Sequence, residues 1–270
     1  MAPTIIDSHI HVGRWNYEHY RHITCAITSK DSALTSISPV DQVLAECGID
    51  GAVLLPTDAC DNQGILDELR AYRGARKYWL FSWCNPGDDS LAWIRTHLDH
   101  ISGLKIHASL DRCEGSVGNP AYEPFLELAA ERHLPVLVHC GRWQKMASYL
   151  SVLETARRHP EIDFIAAHLG GDMDSLKIEA PRALRRMELR NVWFDISATR
   201  EFWTIEMAVR EIGADRLLFS SDYPVMHPRM SLASVQALQL SDAEAQKIYA
   251  GNILELIEGT HRGNASRRER

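Results

Sequence analysis

Eight times along this chain a short run of β-branched and aromatic residues gives way to a longer amphipathic stretch, and this alternation is what most constrains the fold. The apolar runs fall at residues 4–9, 52–55, 78–83, 104–107, 136–139, 162–168, 192–196 and 216–220. They are apolar nearly throughout, as expected of parallel strands covered on both faces. At 38–47, Val40, Val43, Leu44 and Cys47 share one helical face, with Ser38 expected as N-cap, Pro39 opening the helix and Gly48 following it. Helices are also expected at 63–73, at 89–100, and from Asn119-Pro120 along the face Tyr122, Phe125, Leu126 and Ala129. Others follow across Met146, Tyr149, Leu150 and Leu153, at 175–190 and at 202–212. Pro181 should kink the helix at 175–190 or delay its start. Ser241 and Glu244 carry a capping-box signature before the last helices.

Strand and helix in alternation imply right-handed βαβ crossovers. Eight such units in 270 residues fit one α/β domain, a closed (β/α)8 TIM barrel spanning 1–258, with a polar tail at 259–270 expected to be frayed. An open doubly wound sheet is the alternative, but no Gly-rich phosphate loop follows any strand.

Charge bounds the partners. With 29 basic and 36 acidic residues the net charge is −7, which argues against nucleic-acid binding by bulk electrostatics. No run of 18 apolar residues predicts a membrane span. The opening Met1-Ala2-Pro3-Thr4 has neither a basic nor an apolar leader segment, and no secretory signal is expected. The six cysteines (Cys25, Cys47, Cys60, Cys84, Cys113, Cys140) form no CxxC pair and read as buried free thiols of a cytoplasmic protein. A small-molecule substrate is the expected partner.

Chemistry concentrates where strands end. His9 and His11 close the first strand, His107 the fourth, His139 the fifth and His168 the sixth, while Asp222 follows the eighth. In a closed barrel those ends open onto one face, so residues remote in sequence converge there. Simple alternation along the first strand points Asp7, His9 and His11 inward and Ile6, Ser8 and Ile10 toward the helices. Adjacent imidazoles in a barrel mouth need a partner. A divalent cation is one; mutual burial as hydrogen-bonded core histidines is the other. Imidazole suits Zn, Fe, Ni or Cu, and a carboxylate widens the choice to Mn.

Asp7-Ser8-His9-Ile10-His11, Val138-His139-Cys140-Gly141, Ala167-His168-Leu169-Gly170-Gly171 and Ser220-Ser221-Asp222-Tyr223-Pro224 resemble the metal-site motifs of the amidohydrolase superfamily. The branch they resemble is the amidohydrolase-related group that contains aminocarboxymuconate-semialdehyde decarboxylase and γ-resorcylate decarboxylase. Gly251-Asn252-Ile253 resembles that group's C-terminal motif. The resemblance implies one divalent metal, zinc first with manganese or iron as alternatives, on His9, His11, His139 and Asp222. It implies His168 and Asp222 as the proton-handling residues beside a ligated water. Some decarboxylase-type relatives carry Glu in place of the first His, so His9 meets the resorcylate-type pattern only in part. Relatives often dimerise, which makes a homodimer an expectation.

A catalytic metal keeps a position open for water and lowers its pKa from 15.7 to about 7. The leading expectation is therefore hydrolysis of a C–N or C–O bond in a small, carbonyl-bearing, acidic molecule. A non-oxidative decarboxylase of a small carboxylic acid is the first alternative, and a non-catalytic metal-binding barrel the second. Lys105 shares a strand face with His107. It is read as a cation for a substrate carboxylate, as a carboxylated bridge between two metals, or as an ion pair with Asp7 or Asp195. His107 is expected to touch substrate or a metal ligand, or else to sit in the core. Asp195 is expected to orient a ligand by hydrogen bonding, with direct catalysis the alternative. Arg142, with Trp143, Arg14 and Trp15, suits a planar acid through pairing and stacking, or lies on solvated loops.

Overall fold

The computed structural model describes residues 3–22, 34–57 and 61–259. Nine strands form one sheet: β1 (Ile6–Arg14), β2 (Leu34–Thr35), β3 (Gly51–Pro56), β4 (Lys77–Trp83), β5 (Ile101–Ile106), β6 (Val136–Val138), β7 (Phe164–Ala166), β8 (Val192–Asp195) and β9 (Leu217–Leu218). Omitting β2, the other eight pair in chain order and in parallel. The segment after β9 returns to β1 through a parallel bridge, Ile10 to Tyr223. Ser8 N donates to Phe219 O, Asp222 N to His9 O and His11 N to Tyr223 O, each at 2.9 Å. These bonds close the ring, and the chain is a (β/α)8 barrel. The short β2, antiparallel to the end of β1 at Gly13 and Arg14, was not foreseen.

Helix bounds follow local chemistry with instructive shifts. The first long helix is Ile37–Cys47, capped at extended Ser36 rather than Ser38. Ile37 N donates to Glu68 Oε2 at 2.7 Å, so a carboxylate from another helix meets an end N–H that the Ser36 side chain leaves unbonded. Pro39 remains in the first turn, where its missing donor costs nothing. Helix Tyr149–Arg158 starts beyond Met146, at the Ser148 cap. Helix Asp174–Met187 carries Pro181 inside it, so the late start does not occur. Phe202–Ile212 and the Ser241–Glu244 capping box form as expected.

Two apolar layers result. Ile10, Leu54, Ile106, Val138 and Phe164 face helix residues such as Leu44, Ile65, Phe125 and Leu153. Inside the ring, Val53, Leu55, Phe81, Leu137, Ile165 and Leu218 meet Ala250, Ile253, Leu256 and Ile257 of the C-terminal segment. Ile6 belongs to this interior set, contrary to simple alternation. The register of β1 against β3 shifts between Asp7 and Ile10, which resets the alternation so that Ile6 and His9 both project inward. Asn252 anchors the last helix: its Nδ2 donates to Ala214 O and Leu217 O at 2.8 Å each.

No helix among the described residues is long and apolar enough to cross a membrane. Cys140 is a buried free thiol as expected, whereas Cys47 and Cys113 are free but only half-buried. Cys25, Cys60 and the tail from residue 260 onward lie outside the described residues.

Candidate metal centre and active site

The strand ends bring the expected residues together at one end of the barrel. His9 Nδ1 lies 2.8 Å from Asp195 Oδ2, and His11 Nδ1 lies 2.9 Å from Pro56 O. Both partners only accept, so each ring carries its proton on Nδ1 and turns a bare Nε2 the other way. Those two Nε2 atoms stand 3.2 Å apart. Asp222 Oδ1 completes the triangle, 3.4 Å from His9 Nε2 and 3.2 Å from His11 Nε2. Three acceptors thus converge with no hydrogen between them, an arrangement that repels itself until a cation enters. The donor chemistry, two imidazole nitrogens and a carboxylate with their far sides hydrogen-bonded, fits a divalent ion. Asp195 with His9 and His168 makes a second compact group on the other side of the His9 ring.

Charge states agree. Burial and the Lys105 charge push His9 down to about 4, keeping the ring neutral. Burial and the neighbouring rings likewise hold His139 well below the ordinary histidine value. Burial works against ionisation of Asp222, but the adjacent His11 and the other nearby imidazoles bring its carboxyl below the usual range. Asp7 goes the other way, raised by burial to about 7 in spite of bonds from His9 N and Ser221 N to Oδ1.

His139 falls outside both compact groups. Its Nδ1 lies 3.2 Å from His168 Nε2, and its ring stacks on His107 with centroids 3.8 Å apart and planes 9° from parallel. His107 in turn lies parallel to Trp83, whose Nε1 donates to Asp111. His107 Nδ1 accepts weakly from Leu110 N and lies 3.0 Å from Ser109 Oγ. It is therefore a stacked ring bracing His139, not an isolated core residue.

Lys105 is fully buried, and among the described residues its Nζ has no hydrogen-bond partner. Burial lowers it to about 8, while Asp195 and Asp222 pull the other way from beyond bonding distance. An ion pair with Asp7 or Asp195, one of the three readings of Lys105, does not form. Arg142 is exposed and donates to Asp172 at 2.8 Å, and nothing joins it to the histidines. Trp143 is also exposed, whereas Trp15 is buried edge-on against His11 and bonds Thr35.

One member of the site escaped sequence reasoning. Ser197 is fully buried and touches Asp195, His168 and His9. The available signal was Asp195-Ile196-Ser197, an Asp two residues before a Ser, a spacing that suits a side-chain-to-backbone turn. The backbone at His168 (φ 59°) and Asp222 (φ 69°) lies in the left-handed region, strain that bonded surroundings impose at both residues.

The sequence profile of the amidohydrolase family matches residues 6–258. None of the curated proteins matches the chain significantly. Among solved structures, an amidohydrolase of Burkholderia multivorans with bound zinc is 17% identical with a TM-score of 0.74, over 94% of this chain and 99% of that one. The 5-carboxyvanillate decarboxylase of Sphingomonas paucimobilis is 11% identical at 0.70, over 95% and 99%. A dihydroxybenzoic acid decarboxylase of Polaromonas, bound to manganese and the inhibitor 2-nitroresorcinol, is 15% identical at 0.72, over 97% and 98%. At such identities the likeness establishes a shared fold over nearly the full length of each.

Proposed function

The chain belongs to the amidohydrolase family, and from that premise we propose that it is a divalent-metal-dependent enzyme that removes CO2 from a small carboxylic acid. The observation that carries this reading is Lys105, a buried ammonium with no bonded partner among the described residues, on the inward strand face that also holds His107. A buried cation calls for an anion, and a substrate carboxylate supplies one. The decarboxylases among the structural relatives support the same choice.

His9, His11 and Asp222 would hold the ion, zinc or manganese by the donor set, with His139, which stands outside their triangle, as the further donor. When bound, it supplies a Lewis acid that polarises a substrate oxygen and activates water. Lys105 draws the carboxylate and fixes its orientation. The bond from carbon to the carboxyl group then breaks, its electron pair stays on carbon, and CO2 departs. His168 Nε2, left bare because Nδ1 donates to Ser197, takes up a proton from water and passes it to that carbon, which returns the ring to its neutral form. Asp195, ionised and joined to His9, keeps the ligand ring in the tautomer that leaves Nε2 free.

Hydrolysis of a C–N or C–O bond is the second reading. Asp222 favours it, being ionised, near the barrel mouth and placed to take a proton from an attacking water. The two separate by product analysis. Zinc- or manganese-loaded protein is incubated with 2,6-dihydroxybenzoate, 5-carboxyvanillate and a set of lactones and amides in D2O and in 18O-water. Release of CO2 with deuterium on the vacated carbon is the expected result. Product oxygen drawn from 18O-water selects hydrolysis, and a loaded protein inert toward every compound leaves a metal-binding barrel.

A further inference from the structure

The turn after β8 folds Ser197 back onto the last residue of its own strand. Ser197 N donates to Asp195 Oδ1 at 3.1 Å, and the Ser197 hydroxyl also bonds that oxygen. A carboxylate only accepts, so the one hydroxyl proton goes to Asp195. The lone pairs of Ser197 Oγ then accept from His168 Nδ1, 2.8 Å away. The alternative acceptor, Ser197 O, is more distant at 3.2 Å and is shared with Thr199 Oγ1. Asp195 Oδ1 also takes the His168 backbone N–H at 2.9 Å, while Oδ2 holds His9. One carboxylate and one hydroxyl thereby set both a ligand ring and the ring beside it.

We propose that Ser197 is a positioning residue that holds His168 in the Nδ1–H tautomer, with Nε2 as its working nitrogen. The inference rests on the acid/base role proposed for His168. Removing the hydroxyl leaves Nδ1–H with the poorer carbonyl contact and releases Asp195 Oδ1 from one of its three donors. The ring then gains a competing Nε2–H form directed at His139, which stands 3.2 Å away.

The test compares wild type, Ser197→Ala and Ser197→Thr as full-length, zinc-loaded protein. Ring 15N spectra of histidine-labelled samples should assign His168 as Nδ1–H in wild type and in Ser197→Thr. They should show a loss of that form in Ser197→Ala. With 2,6-dihydroxybenzoate as substrate, Ser197→Ala should lower kcat by roughly 10- to 100-fold, the range for residues that orient a metal-site ring. Metal content, Tm and KM should hold, and Ser197→Thr should recover most of kcat. An unchanged His168 tautomer in Ser197→Ala overturns the proposal, as does a threonine variant no better than alanine. The ring spectra need no turnover, so failure of the decarboxylase reading and failure of the Ser197 role are told apart.

Discussion

His9 and His11 face each other Nε2 to Nε2 across 3.2 Å, each ring committed at Nδ1 to an acceptor and bare at the inner nitrogen. Such a contact is unfavourable without a cation, so ion binding should stabilise the fold strongly. At about 100 times Kd the gain is about 2.7 kcal/mol. For a chain of this size that is a rise in Tm on the order of 5–10 °C. Calorimetry of chelated and zinc- or manganese-loaded protein should show it. His11→Ala should abolish both the rise and the bound metal, and a full response in that variant would remove His11 from the site.

Lys105→Met tests the buried ammonium in two directions at once. Relief of an uncompensated charge should raise the unfolding free energy by about 1–3 kcal/mol in urea titrations. Turnover of a carboxylate substrate should fall by roughly 100-fold or more, the scale of losing one preorganised charge in a dry site. A stabilised variant with full activity would assign Lys105 to some other task.

Asn252→Ala should behave as a pure stability mutation. Its amide serves two buried carbonyls, those of Ala214 and Leu217. Stranding them should cost about 2–4 kcal/mol. Metal stoichiometry at low temperature should stay at the wild-type level. This gives the Gly251-Asn252-Ile253 motif a physical role: it ties the helix that plugs the ring to the last strand.

Asp111 should impose a pH dependence on stability. Burial raises its carboxyl to about 6 from an ordinary 3.8, against hydrogen bonds from Tyr122 and Trp83 that work to lower it. The folded state therefore holds this proton more tightly than the unfolded chain. The contribution is complete below about pH 4 and is lost as pH rises through 6. Asp111→Asn, which stays neutral, should flatten the stability profile of urea denaturation between those limits. A profile as steep as the wild type's would place the dependence elsewhere.

Much of this was legible because parallel strands make position informative. Once eight units were counted, a histidine at a strand's end had to reach the common rim, which is how His9, His11, His139, His168 and Asp222 could be grouped. Features set by contacts between distant segments were not legible. The start of the first long helix depends on Glu68, a residue of the next helix. The inward turn of Ile6 depends on a shifted pairing with β3. Arg142 pairs with Asp172 of a neighbouring loop, a contact the sequence does not signal. Ser197 carries little signal in the sequence because His168 reaches it from the neighbouring strand β7 and His9 only through closure of the ring.

The seam between β1 and the segment after β9 has a further consequence. His9 and His11 stand on one side of it and Asp222 on the other, joined by the bond from Asp222 N to His9 O. The opening and closing stretches of the polypeptide must therefore meet before an ion finds its full set of donors. A nascent chain still lacking its eighth unit offers only half a nest, so metal capture during biosynthesis has to wait for the final strand, and the captured ion then acts as a clasp.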